Sequence, residues 1–404
     1  MTASGVVVVP SYLPDLAGIG VLTRMYPPSL VNEVVAECGR TERRRRLLPA
    51  RLVVYFLMAM ALFSPAPYLE VMRHLVEGLR WADLWGSWHP PSKAAIFRAR
   101  QRLGVEPMAA LFRRCARPLA TEAMAGAFWR GRRLMALDGS YLDIADTAAN
   151  AKEFTRPGTG RGEGTGSYPQ VLVVVLVECG THAVVDAALG SRSDGELRLA
   201  QELMGSLAPG MLVLGDRNLP SSAMVRAVVA TGADLCFRIR ANRCPPVLER
   251  LEDGSWRSEL HTRQDREAGR EPVPVRALRY RLEDPGRPAA DDEDYLLVTT
   301  LLDPRQAPAA ELAALYAQRW ECESVLDEIK THQRGPRTVL ASKAPAGVRQ
   351  EIYAHLLVHY ALRAQIAQAL AEDTEELGCN RGSFTTALRA ARRTVTSTPG
   401  VFSP

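Results

Sequence analysis

The spacing of the apolar residues changes twice along the chain. Up to about residue 125 they recur at helical intervals, as at 52–62 and 66–79, and prolines separate the runs. From Leu134 they form short runs bounded by turn residues, which is typical of strands. After Pro308 the helical spacing returns. The pattern predicts an all-helical N-terminal region, an α/β core and C-terminal helices.

The central segment predicts its strands and helices in a fixed order. Strands are expected at 134–138, 171–177, 182–189, 211–216 and 234–239, and helices at 195–207 and 220–230. This order of three strands, helix, strand, helix and strand is that of the RNase H-like fold. In that fold the first and fourth strands lie side by side. Asp138 and Asp216, which end those two strands, should therefore meet in space.

The composition of the chain changes again after the core. Residues 241–305 are polar and rich in turns, with strand-like runs at 256–260, 273–282 and 295–302, which predicts a β-rich insertion. We expect four units, which are a helical domain at 1–130, a catalytic domain at 131–240 and 306–375, the insertion at 241–305 and a C-terminal tail at 376–404.

Four polar side chains share one face of the helix expected near 309–332: Tyr316, Arg319, Glu323 and Lys330. With about 100° per residue, the four directions fall within roughly 60°. Such a face suits an acid that binds metal, flanked by groups that bind phosphate. A solvated stripe of ion pairs is the alternative. Because the stripe follows two strand-end acids in the order that the fold requires, we favour the functional interpretation.

Composition narrows the class of protein. The chain is 47% hydrophobic and 24% charged, as in soluble globular proteins, and it has no run of about 20 apolar residues. Its N-terminus lacks the features of a signal peptide, so we expect a cytoplasmic protein without membrane contact. The seven cysteines are scattered without a CxxC pair, which argues against a disulfide framework or a zinc site.

Positive charge is concentrated in the N-terminal third. Residues 1–133 carry 19 Lys and Arg against 9 Asp and Glu, a surplus of ten, so the remainder has a net charge of −5. A region that binds a polyanion and a solvated arginine-rich face are both consistent with this surplus.

Two segments account for much of that charge. Residues 40–51 hold six arginines and one glutamate, and a short basic helix follows Ser92, a plausible N-cap. This helix could be the second of a helix-turn-helix, with four side chains able to reach phosphate: Lys93, Arg98, Arg100 and Arg102. A basic helix without that role is the alternative.

Three motifs resemble those of the DDE transposases of the insertion-sequence-4 family. They are Leu137-Asp138-Gly139-Ser140, Leu214-Gly215-Asp216-Arg217-Asn218 and Tyr316-x2-Arg319-x3-Glu323-x6-Lys330, the last being the complete Tyr-Arg-Glu-Lys signature. The resemblance extends from the helical N-terminal region to about residue 349. It implies an RNase H-like catalytic core with a β-rich insertion, and cut-and-paste DNA transposition through a hairpin intermediate.

The resemblance also implies a catalytic centre. Asp138, Asp216 and Glu323 would hold two Mg²⁺ ions, which Mn²⁺ could replace, because hard cations prefer carboxylate oxygens. The partners would be double-stranded DNA, as terminal inverted repeats and target, and a second copy in a homodimeric synaptic complex. The protein would be associated with the nucleoid when bound to DNA.

The remaining members of the signature, Tyr316, Arg319 and Lys330, would bind phosphates near the cut end. Trp256 in the insertion is a candidate for stacking on a flipped base, although we favour a buried strand tryptophan.

Two other functions stay open. One is an RNase H-like nuclease that cuts DNA without joining it. The other is a DNA-binding protein derived from a transposase that has lost catalysis, against which the intact acids argue. The chain ends soon after Arg392-Arg393, which predicts a shortened C-terminal element.

Overall fold

The computed structural model describes residues 17–44, 46–80, 91–157, 167–240, 243–281, 295–336, 338–372 and 382–394. Its first part is helical, as predicted, with six helices before the first strand among these residues: α1 (Ala17–Met25), α2 (Pro28–Glu37), α3 (Ala50–Leu62), α4 (Tyr68–Arg80), α5 (Lys93–Leu103) and α6 (Glu106–Cys115). None of the described helices is long and apolar enough to cross a membrane.

Helix α3 is the centre of the helical region. It is apolar on nearly every side, and a helix of this kind has to be buried all round. It packs against α2, α4 and α5 and against a long C-terminal helix, α13 (Pro345–Glu372). The helical region is therefore continuous with the C-terminal part of the molecule.

A ten-stranded sheet forms the core. Its strands are β1 (Phe128–Trp129), β2 (Arg132–Asp143), β3 (Gln170–Glu178), β4 (Ala183–Ser191), β5 (Met211–Gly215), β6 (Asp234–Ile239), β7 (Glu249–Arg250), β8 (Trp256–Leu260), β9 (Val273–Tyr280) and β10 (Tyr295–Thr299). The order is β4-β3-β2-β5-β6-β10-β9-β8-β7, and β1 pairs with β2. Strands β2, β3 and β4 are antiparallel, whereas β5 and β6 run parallel to β2. This confirms the strand order expected for an RNase H-like core.

The strands of segment 241–305 extend this sheet. Strand β10 pairs antiparallel with β6 and is followed outward by β9, β8 and β7. The predicted β-rich character is present, but the strands do not form a sheet of their own, because the edge of β6 offers unpaired backbone groups to β10. The division of the chain into domains stays a prediction.

Both faces of the sheet are covered. Along β2, Leu134 and Ala136 belong to one apolar cluster and Met135 and Leu137 to the other, because successive strand residues point to opposite faces. Helices α8 (Glu196–Glu202) and α9 (Ser222–Ala230) cover the face of Met135 and Leu137, and a short helix, α10 (Arg263–Glu267), follows β8. The opposite face is covered by helices that follow the sheet: α11 (Ala309–Tyr316), α12 (Trp320–Asp327) and α13.

Three features depart from the predicted elements. The helix expected near 309–332 is interrupted by a 3₁₀ turn at Ala317–Arg319 and ends in a π-helical turn at Glu328–Gln333, irregularities that recur at functional sites. A short helix, α7 (Ala148–Phe154), was not predicted. Within the expected C-terminal tail, the described residues form helix α14 (Phe384–Thr394), which packs against α1 and α13.

Helix α13 carries buried polar side chains. His359 bonds Glu328 at 2.9 Å and Arg363 pairs with the same carboxylate, whereas the Nδ1 atom of His355 is buried without a partner. Burial, together with the positive charges of Arg334 and Arg392, lowers the pKa of His355 to about 3.

We expect His355→Gln to reduce the acid sensitivity of folding. The unfolded state takes up this proton near pH 6.5 and the folded state only near pH 3, so the contribution to stability is complete above pH 6.5 and is lost as the pH falls. At pH 5 the loss is roughly 2 kcal/mol. Melting temperatures at pH 7 and 5 should fall further for the wild type than for His355→Gln. Equal falls would contradict this, and the exposed His332→Gln is the control.

Candidate active site

The two aspartates meet because of the strand register. In the parallel pair β2 and β5, Leu137 lies opposite Gly215. Asp216 directly follows β5, whereas β2 continues past Asp138 to Asp143, so Asp138 lies within its strand and not at the predicted strand end. This register places the two residues side by side where β5 ends. The meeting expected from the strand order is therefore built into the backbone pairing.

Glu323 reaches this edge from α12, which packs against β2. The guanidinium of Arg319 connects the two elements. Its Nη1 donates to the Oδ2 of Asp138 at 3.3 Å, and its Nη2 donates to the Oε1 of Glu323 at 2.8 Å. The structure thus brings together all three predicted acids, with one buried cation between two of them.

The electrostatics of Asp138 reflect this crowding. Burial raises the pKa of its carboxyl group, and the negative charges of Asp216 and Glu323 raise it further. The backbone N–H of Gly139 and the charge of Arg319 act in the opposite direction. The edge of the sheet therefore has a strong affinity for positive charge.

Arg319 and Tyr316 are more buried than the phosphate-binding roles predicted for them require. Arg319 is 7% exposed and is occupied by its two carboxylate partners. Tyr316 is 6% exposed, and its hydroxyl donates to the carbonyl of Gly215 at 3.1 Å. Tyr316 thus holds the end of β5 in place, and the structure gives no support to a phosphate contact of its hydroxyl.

Lys330 lies on the π-helical turn and is half-buried. Its ammonium donates to the hydroxyl of Ser140, two residues after Asp138 on β2. Burial lowers the pKa of Lys330, and the positive charge of Arg334 lowers it further. The fourth member of the signature therefore also lies at this edge of the sheet.

Two of the predicted DNA-contact residues belong to the interior. Arg100 is 5% exposed. Its guanidinium donates to the Oε1 of Gln350 on α13 and to the Oγ of Ser342, which precedes that helix. Trp256 is also 5% exposed and lies in the apolar cluster beneath α9. The predictions of a phosphate contact for Arg100 and of base stacking for Trp256 are wrong, because both side chains are enclosed by partners distant in sequence.

The other basic residues of α5 remain exposed. Ser92 caps the helix, as predicted, by accepting from the N–H of Ala95 at 3.2 Å. Lys93, Arg98 and Arg102 lie on its outer side. The segment before Pro91, which would complete a helix-turn-helix, lies outside the described residues.

Sequence reasoning missed two side chains at the site. Trp320 is 60% exposed, with the guanidinium of Arg319 5.0 Å from its ring centre. It is available for stacking, unlike Trp256. Glu196, the first residue of α8, has its pKa raised to about 7 by burial and then by Asp138 and Asp216. The sequence contained no signal for Glu196 beyond its position at a predicted helix start.

Comparison with known proteins identifies the family of the chain. A family model for the insertion element 4 transposase N-terminal region matches residues 16–113, and one for the transposase DDE domain matches residues 129–361. The chain belongs to the DDE transposases of the insertion-sequence-4 type. It is a DNA transposase, and the resemblance seen in its motifs is confirmed.

Two sequence relatives agree with the family assignment, and one solved structure aligns with the chain. This transposase is 29% identical over 366 residues to the transposase InsG for insertion sequence element IS4 of Escherichia coli (strain K12), covering 88% of this chain and 78% of that protein. It is 25% identical over 216 residues to the putative transposase InsZ of the same organism, covering 51% and 69%. A piggyBac transposase in a synaptic complex with hairpin DNA aligns over 96% of this chain and 81% of that chain, with a TM-score of 0.49 and 11% identity.

The donor set of this transposase fits a hard divalent cation. Three carboxylates supply the oxygen ligands that Mg²⁺ prefers, in a place where negative charge is in excess. The acids are not yet gathered around one point, since no three His, Cys, Asp or Glu side chains of the described residues are placed to hold a metal. Arg319 instead lies between Asp138 and Glu323.

We therefore expect Arg319→Gln to increase the stabilisation that a divalent cation gives to this transposase. The variant leaves two carboxylates without their counter-ion, at a cost of roughly 3–5 kcal/mol in the metal-free protein. The rise in melting temperature on adding Mn²⁺ should then exceed that of the wild type.

The matched control is Arg114→Gln. Arg114 also bridges two carboxylates, Glu33 and Glu37, but on the exposed surface. Equal Mn²⁺-induced rises in the wild type and Arg319→Gln would show that the guanidinium does not compete with cations at this site.

Proposed function

We propose that this transposase cuts the ends of its own insertion sequence and joins them to target DNA. The observation that carries the proposal is the convergence of Asp138, Asp216 and Glu323 at one sheet edge, linked by the register of β2 and β5 and by Arg319. The complete Tyr-Arg-Glu-Lys spacing supports the same chemistry.

Asp138, Asp216 and Glu323 would hold two divalent cations, Mg²⁺ or in its place Mn²⁺. Such a pair supplies an activated oxygen nucleophile and stabilises the negative charge that develops around phosphorus and on the leaving oxygen. Asp138 would contribute to both cation positions, and Asp216 and Glu323 would each contribute to one. Water attacks the phosphorus at the end of the element and the P–O3′ bond breaks, which frees a 3′-hydroxyl. In the later steps this hydroxyl attacks the phosphorus of another phosphodiester bond and displaces its 3′-oxygen.

The basic side chains of the Tyr-Arg-Glu-Lys signature act on the DNA backbone. Arg319 pairs with carboxylates in the metal-free protein and with a phosphate in the loaded one, since its guanidinium can bind either group through two donors. Lys330 holds a phosphate beside Ser140, close to the cut. Tyr316 holds the end of β5 in place beside these two basic residues.

The basic N-terminal helices bind the DNA outside the cut. Arg40 donates to the carbonyl of Arg102 and pairs with Glu106, so the basic segment at 40–51 lies against the end of α5. A surface cavity of about 260 Å³ there is lined by Arg40, Arg43, Arg46 and Arg102. Their combined charge, with that of Lys93 and Arg98, suits the phosphates of double-stranded DNA.

The same function implies a second copy of the chain. Synapsis holds two terminal inverted repeats while target DNA is joined, and each end needs a catalytic centre. We therefore include a homodimer in the proposal.

We expect Asp138→Asn to abolish cleavage while end binding is retained. The amide removes one charge from the site without changing its size, and nicking of a labelled terminal-repeat duplex in Mg²⁺ should fall by roughly 10³-fold, about 4 kcal/mol of transition-state stabilisation. A gel-shift assay checks that the same duplex is still bound.

The matched control is Asp143→Asn at the end of the same strand, where the side chain is exposed and bonds Gln170. It should cleave like the wild type. Normal cleavage by Asp138→Asn would exclude the proposed centre. Cleavage without any joined product would favour a nuclease over a transposase.

A further inference from the structure

A fourth carboxylate approaches the site from the face of the sheet opposite to Glu323. Asp138 has the same parity along β2 as Leu134 and Ala136, which face α12 and α13. Gly139 has the parity of Met135 and Leu137, which face α8. The missing side chain of Gly139 is therefore directed toward the start of α8.

The carboxylate of Glu196 fills the space that a side chain at position 139 would take. A Cβ on Gly139 would lie 2.9 Å from its Oε1 and 3.2 Å from its Cδ, closer than van der Waals contact allows. The Glu196 side chain can take this position against β2 because residue 139, being glycine, has no Cβ. The glycine of the Asp-Gly-Ser motif thus admits a second acid beside Asp138.

The turn before α8 fixes this approach. The Oδ2 of Asp194 accepts from the N–H of Ser191 at 2.6 Å, and Gly195 follows with a φ of +76°. On β4, a Cβ at Gly190 would lie 2.9 Å from the side chain of Leu199, so α8 is pressed closely onto the sheet. The start of α8, which carries Glu196, is therefore fixed by the turn before the helix and by the packing of the helix on β4.

The charge of Glu196 is not balanced by a base. No Lys, Arg or His of the described residues forms an ion pair with it, and Arg198 two residues later pairs with Asp194 and Glu202 instead. Burial raises the pKa of Glu196, the negative charges of Asp138 and Asp216 raise it further, and the backbone N–H of Gly139 acts in the opposite direction. A half-buried acid whose charge is disfavoured by two nearby acids is stabilised by a cation that all three can share.

We propose that Glu196 is a fourth acidic residue of the catalytic centre, which helps to hold the divalent cations from the α8 face of the sheet. The inference rests on the proposed function, because it assigns one more residue to the same metal site. It gives the site carboxylates from both faces, with Glu323 from α12 and Glu196 from α8, around Asp138 and Asp216.

The test is the affinity of the full chain for Mn²⁺, measured by calorimetric titration without DNA. Glu196→Gln keeps the shape that fits beside Gly139 and removes only the charge. We expect its affinity for Mn²⁺ to fall about tenfold or more. Glu202→Gln, the same change at the other end of α8 on an exposed side chain, should bind like the wild type.

Asp138→Asn separates the two levels of the proposal. If it loses Mn²⁺ binding while Glu196→Gln binds like the wild type, the assignment of Glu196 is wrong and the proposed function stands. If neither variant changes Mn²⁺ binding, or the wild type binds none, both assignments fail. In cleavage assays, raising the concentration of Mn²⁺ should restore much of the activity of Glu196→Gln, whereas a defect that does not respond to metal would also overturn it.

Discussion

Repulsion between carboxylates at one edge of the sheet governs the design of this transposase. The parallel pairing of β2 and β5 places Asp138 beside Asp216 where β5 ends, and the fold cannot separate them without changing its register. Burial adds to the cost of the charge on Asp138. In the metal-free protein the guanidinium of Arg319 offsets part of this cost by binding Asp138 and Glu323. The site therefore has an affinity for cations that Arg319 satisfies only in part.

The surrounding elements deliver groups to that edge from two directions. On one face, α12 carries Glu323 and the irregular turns on each side of it bring Arg319 and Lys330 to the same edge. On the other face, α8 carries Glu196, whose side chain lies against the glycine that follows Asp138. The helical N-terminal region and α13 pack together through α3, which connects the basic surface of α5 to the catalytic core. Binding of DNA and chemistry can thus occur on one continuous body.

The sequence predicted what depends on local periodicity. The apolar runs identified the core strands, and a strand order known for one fold was enough to bring Asp138 to Asp216. It failed where the outcome depends on distant partners. Arg100 lies among the basic residues of α5 that the sequence predicts to be exposed. In the structure, Gln350 and Ser342 from the C-terminal part enclose it. In the sequence, Glu196 is an ordinary acid at the start of a helix. Its side chain reaches the neighbourhood of Asp138 because Gly139, on a strand distant in sequence, has no side chain.

The most direct test of the account is the location of Mn²⁺ in crystals of the transposase bound to a cleaved end duplex, by anomalous diffraction. We predict two Mn²⁺ peaks among Asp138, Asp216 and Glu323, with the guanidinium of Arg319 turned from the carboxylates to a DNA phosphate. The absence of any peak between Asp138 and Asp216, with Arg319 still bound to Asp138 and Glu323, would contradict the account.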